Sequence, residues 1–442
     1  MGKIFYPIFA SQQKIKMKLV RLQRDLDYVD NMGGDEPVEV KVNPVQIVTI
    51  KNKIPLFKGD EQANAIEKIE IEENGFSLVA QKDLYQIGDK AVYIQPDYSL
   101  SDISLFDSFI RPFGDPKKSK LGSNYRIRAV KFNLHTGDLD PTYSVGILLP
   151  ILEVETYLKT LGNTLISNGY EFVKTEELVD ILGITKWEEP DNTDNHGMKV
   201  RSGKPLPSGV YITDEMNCKN LWGHIQNKIG YPITFVGSIK CDGSSISLIV
   251  DNGKITVGSR KYVKEVMISK VIGNREPTLW EKIKKFFGYK PDLLIREMVE
   301  SDDQFIVLAK PYIEKIKEKL NNEDFPKKFI LRGEANGQSW KGSGNKNNPD
   351  SKNQPNIKSY GMDDYSSGVA IKVDNNIFKY YMNIFGFETC KEIFIKEFNS
   401  REEIEKECKE YFKNNMVEGI VLRTLDSTFS AKFLSDEYDS KK

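Results

Sequence analysis

Histidine is nearly absent from this chain: His135, His196 and His224 are the only three in 442 residues. So few imidazoles argue against histidine-ligated metal chemistry and against a Ser-His triad. The four cysteines (Cys218, Cys241, Cys390, Cys408) contain no CxxC pair. Neither a zinc site nor a disulfide framework is therefore expected, and a reducing, cytoplasmic setting is the default. No apolar run approaches the roughly 18 residues that span a bilayer. The opening string MGKIFYPIFASQQ lacks the long apolar h-region and cleavage site of a signal peptide, so neither export nor a membrane partner is expected. Repeats and low-complexity tracts are missing too. What remains is ordinary globular composition, 39% hydrophobic and 29% charged, in a chain long enough for two or three domains. A monomer is expected.

Excess charge of one sign is also missing, since the formal net charge is −1. The local distribution is less even. Arg111, Lys117, Lys118, Lys120, Arg126, Arg128 and Lys131 lie within 21 residues that contain one acid, Asp115. Tyr125 and Phe132 are within or beside them. Basic residues interleaved with aromatics suit phosphate contact and base stacking. A solvated loop marked by Gly114, Pro116 and Gly122 fits the same string.

Residues 1–44 are polar and unassigned. From 45 to 152 short strands alternate with turns, at Val45–Ile50, Ile66–Ile71, Phe76–Ala80, Lys90–Ile94, Tyr125–Val130 and Tyr143–Leu149, which predicts a small closed barrel. Residues 153–212 read as connecting helices and a linker rich in Pro, Asp, Asn and Gly. The remainder, 213–442, mixes strands (233–239, 245–250, 254–258, 328–335, 368–374, 418–423) with amphipathic helices (about 279–287, 291–320, 388–413). That is the texture of an α+β domain with a helical insertion over about 261–327.

The most informative string is Phe235-Val-Gly-Ser-Ile-Lys-Cys-Asp-Gly243. An apolar strand ends on Lys240, and Asp242 and Gly243 turn the chain. Burial and cationic neighbours would lower the pKa of such an amine and make it a nucleophile. A surface lysine before a β-turn satisfies this string equally well. Four further strings bear on the choice. Val257-Gly-Ser-Arg260 closes a strand, and Phe329-Ile-Leu-Arg-Gly-Glu334 ends an apolar strand on a carboxylate. Val417-Glu418-Gly begins another strand, and Lys432 sits inside Ser430-Ala-Lys-Phe-Leu434. Taken singly, Arg260 reads as a surface charge, Glu334 and Glu418 as strand-end acids, and Lys432 as an edge-strand gatekeeper. Together they supply what nucleotidyl transfer needs: an amine to attack phosphorus, cations for the phosphate oxygens, and carboxylates for a divalent metal.

In order, these strings resemble the motifs of the covalent lysyl-nucleotidyltransferases, the superfamily of RNA ligases, DNA ligases and mRNA capping enzymes. Ala65-Ile-Glu-Lys-Ile-Glu, Ile87-Gly-Asp-Lys-Ala-Val-Tyr, Tyr125-Arg-Ile-Arg-Ala-Val-Lys and Val145-Gly-Ile-Leu-Leu-Pro look like the leading OB domain of the type 5 ATP-dependent RNA ligases. Leu182-Gly-Ile-Thr-Lys-Trp and Thr213-Asp-Glu resemble that family's connecting segment. The resemblance covers roughly residue 45 onward. It implies an N-terminal OB-like β-barrel followed by a nucleotidyltransferase domain of antiparallel sheets with flanking helices. The implied activity is an ATP-dependent RNA ligase that seals 3′-OH and 5′-phosphate ends, with ATP and Mg²⁺ or Mn²⁺ as cofactors and RNA ends as partner.

By that resemblance Lys240 forms lysyl–AMP, Arg260 and Glu334 fix the nucleotide, and backbone around Ser238–Ile239 reads the adenine edge. Asp242 and Gly243 complete the lysine motif. Glu418 coordinates metal, and Lys432 contacts the α-phosphate. There are departures. Relatives often carry a second lysine where Ser430 stands. The strand expected to supply an adenine-stacking aromatic, 368–374, offers Ile371 and Val373. An arginine expected after Thr213-Asp-Glu is replaced by Asn217 and Cys218. Two alternatives compete. A DNA ligase or GTP-using capping enzyme places an OB domain after the fifth motif, and with ten residues following Lys432 none is expected there. A non-enzymatic OB-type RNA-binding protein has no reason to keep Lys240, Glu334, Glu418 and Lys432 together.

Overall fold

The computed structural model describes residues 43–137, 141–162, 175–187, 204–278, 280–281, 293–323, 325–340 and 347–439. Almost all of the 1–44 extension, most of the linker and most of the expected helix 279–287 lie outside the described residues.

β1 (Val45–Lys58), β2 (Glu61–Ile71), β3 (Ser77–Gln81), β4 (Lys90–Ile94) and β8 (Ile147–Pro150) form one sheet in the order β3-β2-β1-β4-β8. Two short ladders accompany it: β5 (Tyr98–Ser99) pairs with β9 (Thr185–Lys186), and β6 (Val130–Phe132) with β7 (Thr142–Ser144). β4 is buried on both faces. Ala91 and Tyr93 join Val48, Ile50, Ile69, Ile71 and Phe76 on one side, while Val92 and Ile94 join Leu149, Val154 and Leu158 on the other. Sheet closure is less than the barrel reading expected: β3 and β8 are the edges. Val145 N–H donates to Ser77 O at 2.9 Å and partly bridges them. The expected strand Tyr125–Val130 does not form as such. Asn124 and Tyr125 take φ of 52° and 55°, the left-handed region that no strand residue uses, so the segment makes only an isolated bridge, Arg126 with Ser99, before the ladder that starts at Val130.

The larger region holds two antiparallel sheets. One has seven strands, β10 (Lys204–Pro205), β14 (Tyr262–Lys264), β13 (Lys254–Ser259), β12 (Ser244–Asp251), β17 (Lys328–Asn336), β18 (Asn356–Asp364) and β19 (Ile371–Lys372), in that spatial order. The other has four, in the order β20 (Glu392–Phe398), β11 (Ile233–Lys240), β21 (Gly419–Thr424), β22 (Ser430–Leu434). Period-two alternation in β17 assigns its faces. Phe329 and Leu331 pack under the helices Gln304–Leu320 and Asn375–Phe385, with Ile306, Ile316, Phe378 and Phe385. Ile330 packs on the opposite side with Ile249 and Tyr365, and Arg332 and Glu334 continue that second face.

Three further expectations need correction. The stretch 261–327 begins with a hairpin, β15 (Met267–Asn274) paired with β16 (Leu294–Glu300). The helix expected over about 291–320 starts at Gln304, where the Asp303 side chain caps Phe305 N–H at 2.8 Å. Over 388–413 the chain is first strand β20, then a helix Arg401–Asn414 whose start is fixed by a capping box. Ser400 Oγ accepts from Glu403 N–H, and Glu403 accepts from Asn399 N–H. The strand expected over 368–374 is reduced to Ile371–Lys372, and β18, unforeseen, precedes it.

Candidate active site

Register decides which side chains share a face. Along β21, Gly419 opposes Lys240, Val421 opposes Ser238 and Arg423 opposes Val236. On its other side Val421 opposes Lys432, and Arg423 opposes Ser430. Directly opposed residues project to the same side of a sheet, so Lys240, Lys432, Ser430 and Arg423 form one surface. The second face of β17 presents Glu334, opposite Ser245 of β12 and Lys358 of β18. Contacts join the two sheets across a cleft. Arg423 lies over the Tyr360 ring at 5.6 Å, and Lys372 of β19 reaches Ser430 of β22.

Lys240 is a half-buried amine at the end of β11, and its Nζ donates to Glu418 Oε2 at 2.6 Å. The lowered pKa expected from burial is not found. Burial does push it down, but Glu418, Glu334 and Asp242 outweigh burial and hold the amine above the ordinary lysine value. Among these named influences there is no cation. Glu334 moves the other way from a free carboxylate: burial and the neighbouring Glu418 push it up to about 8 against the pull of Lys240. Asp242 is buried and accepts from the Tyr438 hydroxyl at 2.9 Å, while its backbone oxygen accepts from Asn348 at 3.2 Å. Gly243 is required by proximity, not by φ. A Cβ there would sit 2.3 Å from Ala335 O and 3.0 Å from Glu334 Cγ.

Arg260 and Lys432 meet at a residue not singled out as a site residue from sequence. Asp214 accepts from Arg260 at 2.7 Å, from Lys186 of β9 at 2.8 Å and from Lys432 at 3.3 Å. Burial alone would raise its pKa, but Lys432, Lys186 and Arg260 together keep it well below the usual carboxylate range. Its neighbour Glu215 pairs with Arg423 at 3.6 Å. The string Thr213-Asp-Glu carried these two carboxylates, but nothing in it marked them as counterions. Tyr360 was missed as well. It lies on β18, the strand that follows β17, with its hydroxyl 2.8 Å from Thr213 Oγ1. Tyr360, and not Ile371 or Val373, is thus the residue on the strand directly following β17.

A cavity of about 310 Å³ opens beside these groups, lined by Val236, Ser238, Tyr360, Cys390, Glu392 and Arg423 among others. That is the lower end of the usual ligand-cleft range of roughly 300–1,000 Å³. The N–H of Ile239 is already donated to Lys391 O at 2.9 Å, and the Ser238 side lines the cavity. Among the described residues no group of three or more His, Cys, Asp or Glu forms a metal cage. Glu418 and Glu334 still fit a hard divalent cation, which commonly takes one or two carboxylates and completes its shell with water and substrate phosphates.

The basic stretch separates into two kinds of residue. Arg111 pairs with Asp102 and Asp107, and Arg126 pairs with Asp97 and lies over the Trp187 ring at 4.1 Å. Lys117, Lys118, Arg128 and Lys131 are exposed. Lys118 lies over Phe113 at 5.3 Å, and Phe113 is 96% open to solvent.

Comparison with protein-family models and with curated proteins returns no match. Comparison of folds does. The chain shares its fold with Naegleria gruberi RNA ligase. The apo form of one variant aligns at TM-score 0.60 and 20% identity, covering 91% of this chain and 99% of that one. A lysine-to-alanine variant solved with ATP and Mn gives 0.57 and 21%, covering 90% and 97%. The ligase with pyrophosphate gives 0.58 and 20%, covering 90% and 98%. At such identity the likeness establishes the fold, and the chemistry has to be argued from this chain's own residues.

Proposed function

We propose that this chain is an ATP-dependent RNA ligase that works through a lysyl–AMP intermediate. The observation that carries the reading is the Lys240–Glu418 contact at 2.6 Å, set with Glu334 in a cleft of a fold shared with an RNA ligase. Lys240 Nζ, after releasing a proton to water, attacks the α-phosphorus of ATP, an N–P bond forms, and the α–β bridging bond breaks with its electron pair on pyrophosphate. Glu418 orients the amine through their hydrogen bond. Lys432 faces the α-phosphate oxygens, and Arg260 and Glu334 fix the ribose. The cavity lined by Ser238 and Tyr360 takes the adenine. A divalent cation on Glu418 and Glu334 would neutralise the charge that keeps Lys240 protonated and would screen the leaving pyrophosphate. AMP then passes to a 5′-phosphate, and a 3′-OH displaces it to seal the ends. Lys117, Lys118, Arg128 and Lys131 supply phosphate contacts to the RNA, with Phe113 open for stacking.

The test is incubation with Mg²⁺ and α-labelled ATP. Label is expected on the wild-type protein and not on Lys240→Ala. Labelling from GTP in preference to ATP would move the reading to a capping-type enzyme. A sealing assay across RNA and DNA ends then fixes which strand each side must carry.

A further inference from the structure

Most cations of the cleft already hold a carboxylate. Lys240 has Glu418, Lys432 and Arg260 share Asp214, and Arg423 has Glu215. Lys372 differs. It ends the two-residue edge strand β19, and its Nζ donates to the Ser430 hydroxyl at 2.8 Å. Among the described residues, no carboxylate lies within ion-pair distance of it. A hydroxyl positions an amine without neutralising it. Burial lowers the pKa of Lys372, with Arg423 and Arg332 acting in the same sense and Glu215 against them. The residue is solvent-exposed, which tempers that effect. A positioned cation with no carboxylate in direct contact is a site for an anion.

Register says which part of the anion. Relative to β21, Lys240 stands at Gly419, Lys432 at Val421, and Ser430 with Lys372 at Arg423. Each step is two residues, about 7 Å along the strand. An anion running from Lys240 past Lys432 reaches Lys372 last. The base-sized cavity is lined from β11, β20, β18 and the helix Asn375–Phe385, and includes Arg423 but neither Lys372 nor Ser430, so the two ends of a nucleotide do not compete for one place. We propose that Lys372 is a phosphate-binding residue that holds the pyrophosphate half of ATP. This rests on the adenylyl-transfer reading and adds no bond-making step: Lys372 binds the group whose electron pair departs.

The test uses the full chain in titration calorimetry with α,β-methylene-ATP, which cannot release pyrophosphate, and with AMP. Lys372→Met keeps the apolar stem and removes the charge. It is expected to weaken the triphosphate analogue about tenfold and leave AMP within about twofold, the loss of one charge-assisted contact. Adding Ser430→Lys to that variant places a new ammonium at the same spot and is expected to restore the analogue's affinity. Unchanged affinity for the analogue, or an equal loss for both ligands, overturns the proposal. Labelling with α-labelled ATP separates this from the parent reading. A wild type that labels, with Lys372→Met binding the analogue normally, removes the role of Lys372 alone. A wild type that binds the analogue through Lys372 without labelling removes the transferase reading alone, and a wild type that binds neither ligand overturns both.

Discussion

Raising the pH from 5 to 8 is expected to destabilise the metal-free protein through one carboxyl, that of Glu334. Its pKa rises from the ordinary 4.5 to about 8 because burial and Glu418 disfavour the charged form more than Lys240 favours it. Between those values the folded state holds a proton that the unfolded state has released. Stability therefore falls as pH rises through this window, and the contribution is fully present only below about 4.5. A rise of that size, at about 1.4 kcal/mol per tenfold in proton affinity, caps the loss near about 5 kcal/mol. Titration shared with Glu418 and Lys240 brings the expected loss to about 1–3 kcal/mol. The other strongly shifted groups here do not interfere. Lys240 is raised above an already basic value, and Asp214 is lowered below the window. The assay is urea unfolding in EDTA at pH 5, 6, 7 and 8, comparing wild type with Glu334→Gln, whose amide cannot titrate. The variant should lose most of the wild-type slope. A variant that keeps the full slope refutes the reasoning.

Gly243→Ala places a Cβ 2.3 Å from Ala335 O, and separating β12 from β17 is expected to cost about 1–3 kcal/mol in urea unfolding. Gly223→Ala, which meets nothing within 4 Å, is the neutral control. Glu418→Gln keeps a hydrogen-bond acceptor beside Lys240 and removes its charge. Self-adenylylation should fall about a hundredfold, and an unimpaired rate would remove Glu418 from the chemistry. Lys117→Ala with Lys118→Ala should spare labelling, weaken RNA sealing and reduce the log-salt slope of RNA binding by about 1–2. An unchanged slope would place the RNA elsewhere. Phe329→Ala, at the centre of the larger core, should cost about 3–5 kcal/mol in the same unfolding assay.

The site was legible where chemistry is written into short local strings, and illegible where it depends on partners brought by topology. Lys240, Glu334 and Glu418 lie at the ends of apolar strands and Lys432 interrupts a short apolar run, so a one-dimensional pattern marks them. Which charges they meet was not marked. Asp214 gathers Arg260, Lys186 and Lys432 from three distant segments, and no spacing rule announces such a meeting. β18 escaped notice because Asn356-Ile-Lys-Ser-Tyr-Gly-Met-Asp-Asp is polar, is interrupted by Gly361 and carries a register shift beside β17. Its Tyr360 escaped with it. The helix expected over 388–413 shows the opposite failure. Glu392-Ile-Phe-Ile-Lys-Glu-Phe398 has an apolar triplet followed by two charges, with no period of two to announce the edge strand, and only the Ser400 cap marks where helix begins.

The pairing of charges in the cleft also bears on how the site would work. Glu418, Asp214 and Glu215 hold the cations that a nucleotide's phosphates would need. An incoming polyanion must therefore displace carboxylates from cations, exchanging internal ion pairs for new ones. Such an exchange gains less affinity than capture by unpaired cations, because each displaced carboxylate has to find another partner. Asp214 has three cations, so losing one leaves it two, and Lys432 is the weakest of its contacts at 3.3 Å. Lys432 is thus the most readily released. Glu418 gives up Lys240 at little cost only if another cation takes its place, which ties release of the nucleophile to arrival of the divalent ion. Lys372, bound to a hydroxyl, requires no exchange at all. The order of readiness is Lys372, then Lys432, then Lys240, so in the proposed adenylyl transfer the tail of a triphosphate would be engaged before the attacking amine is freed.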